Sequence, residues 1–180
     1  MDSLTLDLHP AAGGRYAIDL RVGAGVAWTA LAAGSASLYL DPPPPPEPDV
    51  QRLTFRQAVA YPFGLDPLRD DRASLHVYIY RPVDREAILD FDRRINARYT
   101  EFFVTTGERP AGTFDVEGLG TACLGEIAAM DMTSRAEFEA VTHDLAIPDD
   151  VAGILAECRE LQDRSFERFV LWLTPLGRGG

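Results

Sequence analysis

The sequence contains no lysine: its 17 basic residues are all arginine, and they stand against 28 acidic residues. The resulting net charge of -11 has the wrong sign for binding a nucleic-acid backbone or an anionic lipid surface. We therefore expect neither nucleic acid nor membrane among its partners. Arginine without lysine, beside many Ala, Gly and Pro residues, is typical of a GC-rich bacterial coding sequence.

Histidine and cysteine are also scarce, with three His and two Cys. A metal site needs three or four converging ligands, and the three His lie far apart in the sequence, so we predict no metal. Cys123 and Cys158 lie in apolar stretches, where cysteine behaves as a small hydrophobic residue. The sequence also lacks a phosphate-binding Gly-rich loop and a Gly-x-Ser-x-Gly elbow. It thus predicts a protein that needs no cofactor.

Long apolar runs are missing as well. The longest is far short of the roughly 20 residues that a membrane span needs, and the N-terminus lacks a basic stretch followed by an apolar one. We expect a cytoplasmic protein.

Proline is unevenly distributed, and its unbroken run at residues 42–46 is the clearest break in the chain. Such a run favours extended structure and is typical of a stiff spacer, with a ligand for a Pro-binding domain as the alternative. Short alternating apolar stretches before it are typical of strands. We divide the chain into a β-rich N-terminal segment (1–41), a Pro-rich linker with a possible extra strand (42–73) and a main domain (74–180).

The main domain begins with a strand and a helix. Residues 75–80 alternate between an aliphatic face and a polar or aromatic face, as a strand does. Asp84 can cap a helix whose apolar residues recur at spacings of three and four. We expect that helix to end near Gly107.

Two strands, a second helix and a last strand follow. The strands are expected at 113–117 and 122–130. Residues 134–137 form a capping box that starts the second helix, and Pro148 indicates a restart within it. A last strand at 168–174 completes the order β-α-β-β-α-β. This is the ferredoxin-like plan, an α+β fold, here preceded by the β-rich segment.

Three stretches of this domain resemble the NIPSNAP family and, more broadly, the dimeric α/β-barrel superfamily of antibiotic-biosynthesis monooxygenases and polyketide cyclases: residues 113–118, residues 124–127 with Asp131 and Ser134-Arg135 after them, and residues 169–175. Over residues 74–175 the resemblance implies a homodimer that holds a small hydrophobic or aromatic ligand between two sheets. A sheet with helices on one face needs cover on the other, from a partner chain or from the N-terminal segment.

The first strand of the domain carries the most suggestive side chains. Its aliphatic residues should meet the helices, which would turn His76, Tyr78 and Tyr80 into the cavity. Histidine can act as a general base near neutral pH, and tyrosine hydroxyls can stabilise an enolate. The alternative is an interface strand in which the histidine has only a structural role.

Two further residues complete the candidate site. Glu126 interrupts an apolar strand. Burial beside His76 would raise the pKa of its carboxyl, so that it could serve as a general acid or base. An exposed position at a sheet edge is equally compatible with the sequence. Trp172 could stack on a ring-shaped ligand or belong to the core.

These observations favour a cofactor-independent enzyme of bacterial secondary metabolism. It would act on a polyketide-like or aromatic substrate by proton transfer, as a cyclase, isomerase or lyase, with His76 as base and Tyr78, Tyr80 and Glu126 stabilising the developing oxyanion. A cofactor-free monooxygenase is one alternative. A non-catalytic protein that binds a hydrophobic ligand or a partner is the other.

Overall fold

The computed structural model describes residues 3–11, 15–23, 26–32, 51–70, 73–119, 122–132, 135–166 and 169–175. The polyproline run and Ser134 of the predicted capping box lie outside these residues. The described chain contains these strands and helices in sequence order: β1 (Ser3–Ala11), β2 (Arg15–Val22), β3 (Val26–Ala32), β4 (Gln51–Ala60), β5 (Ser74–Tyr80), α1 (Arg85–Val104), β6 (Glu108–Glu117), β7 (Cys123–Met130), α2 (Arg135–His143), α3 (Asp149–Glu160) and β8 (Phe169–Pro175). The fold is α+β.

All eight strands join one antiparallel sheet that closes into a barrel, in the order β1-β2-β3-β8-β5-β7-β6-β4. Closure needs both halves of the chain, because β3 pairs with β8 on one side and β4 pairs with β6 on the other. The N-terminal strands therefore complete the barrel within a single chain. The homodimer remains a prediction, and so do the domain boundaries.

The interior of the barrel is packed with apolar side chains from every strand except β3, whose side chains are not described. Leu6 and Leu20 from the N-terminal half meet Phe55, Phe114 and Leu171 there, each no more than 1% exposed. Burying such side chains away from water is the main stabilising contribution to a fold of this kind. The barrel interior is thus a dry hydrophobic core. Its described part does not provide the ligand space between two sheets that the resemblance implies.

The faces of β5 are the reverse of what we predict from sequence. Its aliphatic residues Leu75, Val77 and Ile79 point into the barrel core, whereas Tyr78 and Tyr80 pack with the helices. The prediction that the aliphatic face meets the helices is wrong. The reason is that the closed barrel is the more fully enclosed of the two layers, so it takes the purely aliphatic side chains.

The helices cover one side of the barrel. Helix α1 packs on β6 and β4, and α3 packs on α1. Asp84 caps α1 as predicted, since its carboxylate accepts hydrogen bonds from the backbone N–H groups of Glu86 and Ala87 at 2.9 and 3.2 Å. The helix ends three residues before Gly107, whose φ of 85° turns the chain into β6. Among the described helices, none is both long and apolar enough to cross a membrane.

Candidate functional site

A cavity of about 260 Å³ lies outside the barrel, between its wall and the helices, and is partly open to solvent. Strands β5, β6 and β7 form its floor, and the three helices form its walls. Sixteen residues line it: Tyr61, His76, Tyr78, Tyr99, Phe103, Glu108, Pro110, Gly112, Glu126, Ile127, Ala128, Phe138, Leu155, Cys158, Arg159 and Gln162. It is large enough for a small organic molecule.

Three of the predicted site residues meet in this cavity. His76 and Tyr78 come from the outward face of β5, and Glu126 comes from β7, where it stands directly across from Tyr78 in the strand register. Antiparallel neighbours in register hold their side chains close together on one face of a sheet. The local alternation of β5 and the pairing of β7 with it thus bring these groups together.

The two other predicted residues lie behind the cavity. Tyr80 is fully buried against α1, with its ring 5.5 Å from that of Tyr78. Trp172 is 4% exposed and packs with Phe138 and His76, at ring distances of 5.8 and 6.1 Å. Trp172 therefore supports two residues of the cavity wall.

The carboxyl of Glu126 is strongly perturbed. Burial, together with the nearby negative charges of Asp92 and Glu108, raises its pKa to about 8. Part of the residue stays accessible because it faces the cavity. A carboxyl with this pKa gains or loses its proton close to neutral pH.

Two more acidic groups belong to the same region. Glu108, at the start of β6, is 5% exposed, and burial raises its pKa to about 8 against the opposing effect of a hydrogen bond with Thr106. Asp92 on α1 is 1% exposed, and burial raises its pKa to about 6 although Thr113 donates a hydrogen bond of 2.8 Å to its Oδ2. Glu126 and Glu108 thus favour the protonated form at neutral pH, and the pKa of Asp92 is raised in the same direction.

Polar contacts fix the floor on the side of α3. The Tyr78 hydroxyl donates to Oε1 of Gln162 at 2.9 Å, and Nε2 of Gln162 donates to the Cys158 sulfur at 3.4 Å. Burial raises the pKa of the Cys158 thiol, and the charge of Glu126 adds to the effect, so this cysteine is a poor nucleophile. The Tyr78 ring is thereby held beside Glu126.

Aromatic rings make up much of the wall. Tyr61 and Tyr99 meet edge to face with ring centres 5.8 Å apart, and Phe103 lies 4.3 Å from Tyr99. Burial raises the pKa of the Tyr61 and Tyr99 hydroxyls well above their ordinary value, so both stay neutral. Across the cavity, the rings of Phe138 and His76 are 5.6 Å apart. The walls suit a flat, largely apolar molecule.

Sequence reasoning missed Asp92, Glu108, Tyr61 and Gln162 as members of the site. Asp92 carries the only usable signal, because it lies one residue after Phe91 in the apolar stripe of α1, where a charged side chain is out of place. Within the described part of the chain, no group of three or more His, Cys, Asp or Glu residues is placed to hold a metal ion.

No family model, no curated protein and no solved structure matches this chain.

Proposed function

We propose that this protein is a cofactor-independent enzyme that moves a proton on a small organic substrate in the cavity beneath its helices. One observation carries the proposal: Glu126 faces that cavity with a pKa near 8. A catalytic acid or base is most effective when its pKa lies close to the working pH. An ordinary glutamate, with a pKa near 4.5, is a weaker base than this one.

The residues around Glu126 support such a role. Tyr78 stands opposite Glu126, and its ring is held in place because its hydroxyl donates to Oε1 of Gln162. It can orient a carbonyl or enolate oxygen when that donation passes from Gln162 to the substrate. His76 lies two residues earlier on the same face of β5, where it can pass on or accept a proton. We assign proton transfer to Glu126 and His76, and orientation of the substrate to Tyr78.

The scaffold supports a more specific version of this proposal. Strands β8, β5, β7 and β6 are neighbours in that order, with α1 between β5 and β6 and with α2 and α3 between β7 and β8. This order supports the ferredoxin-like plan, and with it the resemblance to NIPSNAP-type and polyketide-cyclase domains that residues 113–118, 124–127 and 169–175 carry. We extend the proposal accordingly to a cyclase, isomerase or lyase that acts on an aromatic or polyketide-like substrate.

The test measures exchange of C–H hydrogens for deuterium, because this exchange reports proton transfer without requiring that the product be known. Cyclic 1,3-diketones and aryl ketones carry acidic C–H groups, and NMR in deuterated buffer records their exchange. We expect the protein to accelerate exchange of at least one compound, and Glu126→Gln to reduce the acceleration by about 100-fold or more. Glu117→Gln is the matched control, because it makes the same change at an exposed residue of β6.

Three results would count against the proposal. An exchange rate equal to that of buffer for the whole panel would favour the non-catalytic binding protein. Acceleration that survives Glu126→Gln would remove the carboxyl from the mechanism. Consumption of dioxygen, with label from ¹⁸O₂ entering the product, would favour the cofactor-free monooxygenase.

A further inference from the structure

Negative and positive groups are unequally distributed around the cavity. Glu126 and Glu108 line it, and Asp92 lies close enough to Glu126 to raise its pKa. The lining contains two basic residues: His76 on the floor and Arg159 on the exposed surface of α3. The buried end of the cavity is therefore rich in carboxyls and lacks a permanent positive charge among the described lining residues.

Titratable groups from several elements surround Glu126. Those whose charges interact with it include Tyr61, Tyr80, Asp92, Tyr99, Glu108 and Cys158. Each of these six groups is either neutral or negative near pH 7. Apart from His76 on the same floor, any positive charge that balances the carboxyls has to come from outside this set.

Two unsatisfied hydrogen-bonding atoms lie behind the cavity floor. Oδ1 of Asp92 and the hydroxyl of Tyr80 are buried and have no hydrogen-bond partner among the described residues. Native proteins rarely leave such atoms without partners. Both atoms belong to groups whose charges interact with Glu126. Neither residue lines the cavity, so a ligand there contacts Glu126 and not these two atoms.

The aromatic rings of the cavity walls also favour a cationic ligand. Ring faces attract organic cations, and the attraction grows when water is excluded. Tyr61, Tyr99 and Phe103 present such rings from one wall, and Phe138 presents another from α2. A cation that is also partly hydrophobic would gain from the rings and from the carboxyls at once.

We infer that the cavity selects a small aromatic molecule that carries a protonated amine, with the ammonium beside Glu126. The inference rests on the proposed function only in taking this cavity as the substrate site. An ammonium stabilises the ionised carboxyl, so Glu126 releases its proton to solvent on binding at pH 7. The ligand then leaves the carboxylate ready to act as a base.

Three probes of similar shape and different charge test the inference: 2-phenylethylamine, 2-phenylethanol and 3-phenylpropanoate. Titration calorimetry at pH 7 in phosphate and in Tris measures affinity, and the difference between the two buffers gives the protons released. We expect the amine to bind about tenfold more tightly than the alcohol. We also expect up to one proton to be released with the amine and none with the alcohol.

Two variants locate the effect. Glu126→Gln should abolish both the preference for the amine and the proton release, while the alcohol keeps its affinity. Arg159→Gln, which removes the basic residue on α3, should leave the preference for the amine intact.

Equal binding of the amine and the alcohol would overturn the inference, as would failure of all three probes to bind. Tightest binding of the propanoate, lost in Arg159→Gln, would replace it with an anionic ligand held by the exposed arginine. These results are separate from the exchange assay, because diketone exchange can persist without any preference for amines. Conversely, amine binding with no exchange activity would leave this inference standing and remove the proposed function.

Discussion

The two sides of the barrel wall differ in what they bury. The inside holds aliphatic and aromatic side chains from both halves of the chain, and it is closed by the sheet itself. The outside, beneath the helices, holds carboxyls with raised pKa values, neutral tyrosines and buried atoms without partners. The inside of the barrel therefore contributes most of the stability. The outside is less stabilising, because it holds titratable groups in surroundings poor in water.

The comparison also explains why the cavity lies where it does. Strands in a closed barrel pack tightly at the distances that hydrogen bonding fixes, and eight strands leave an interior that side chains can fill. Helices resting on the outside meet the sheet through longer and more varied side chains. The gap between β5–β7 and the three helices is the space that remains.

The largest expected effect on stability concerns the inside of the barrel. Phe55→Ala removes a ring that is 0% exposed in the barrel core, and we expect it to lower the free energy of unfolding by about 4 kcal/mol. Phe103→Ala removes a half-buried ring from the cavity wall and should cost about 1 kcal/mol. Urea denaturation measures both. Equal losses would show that the two sides contribute alike to stability.

A second prediction concerns β6, which contributes residues both to the barrel core and to the cavity lining. Gly112 has a φ of 146° at a register shift in β6, and a Cβ placed there would lie 2.2 Å from the Val59 carbonyl oxygen. Gly112→Ala should therefore lower the free energy of unfolding by about 3 kcal/mol.

Gly153 provides the contrast. It lies in α3 with open space around its Cα, so Gly153→Ala should raise the free energy of unfolding by about 0.5–1 kcal/mol. Denaturation of both variants under the same conditions decides the matter. A stable Gly112→Ala protein would mean that β6 can shift its register without loss.

The third prediction uses pH to separate the two sides. The Glu126 carboxyl has a pKa of about 8 in the folded protein against 4.5 when unfolded. Between these values the folded state keeps a proton that the unfolded state has lost, so the free energy of unfolding falls as pH rises toward 8. It is unaffected by this group below about pH 4.5, where both states are protonated.

Glu126→Gln removes that dependence. We expect the variant to match the parent protein near pH 4 and to be about 2 kcal/mol more stable at pH 9. Urea titrations at several pH values provide the measurement. Glu108→Gln should behave in the same way, because burial gives Glu108 a similar pKa. A variant whose advantage does not change with pH would mean that Glu126 ionises normally in the folded protein.

Local signals in the sequence predict much of the C-terminal half. The alternation in β5, the Asp84 cap and the glycine after α1 each depend on residues a few positions apart, and the structure confirms them. Pro148 likewise marks a restart, since α3 begins at the next residue. Short-range rules work here because the backbone geometry they describe is set by neighbours in the chain.

The sequence does not determine which layer each face meets. Alternation separates His76 and Tyr78 from Val77, but it is silent on whether the helices or a second sheet cover each set. The acidic cluster is hidden for a related reason. Asp92 and Glu126 are distant in sequence, and their charges interact because α1 packs on β6, which pairs with β7. The pairing of β3 with β8 is also a long-range contact, so the sequence leaves open whether the N-terminal segment or a partner chain covers the sheet.

The smallest expected effect probes how rigidly the cavity floor is built. Tyr78→Phe removes the hydroxyl that donates to Gln162 at 2.9 Å, and a single neutral hydrogen bond contributes about 1 kcal/mol to stability. If the hydroxyl only anchors α3, thermal unfolding should record that loss and the exchange activity should be unchanged. If it orients the substrate beside Glu126, the exchange rate should fall by tenfold or more, since misplacing a reacting group costs more in rate than the lost bond costs in stability. We expect the second result, because Tyr78 and Glu126 share one register position on the cavity floor.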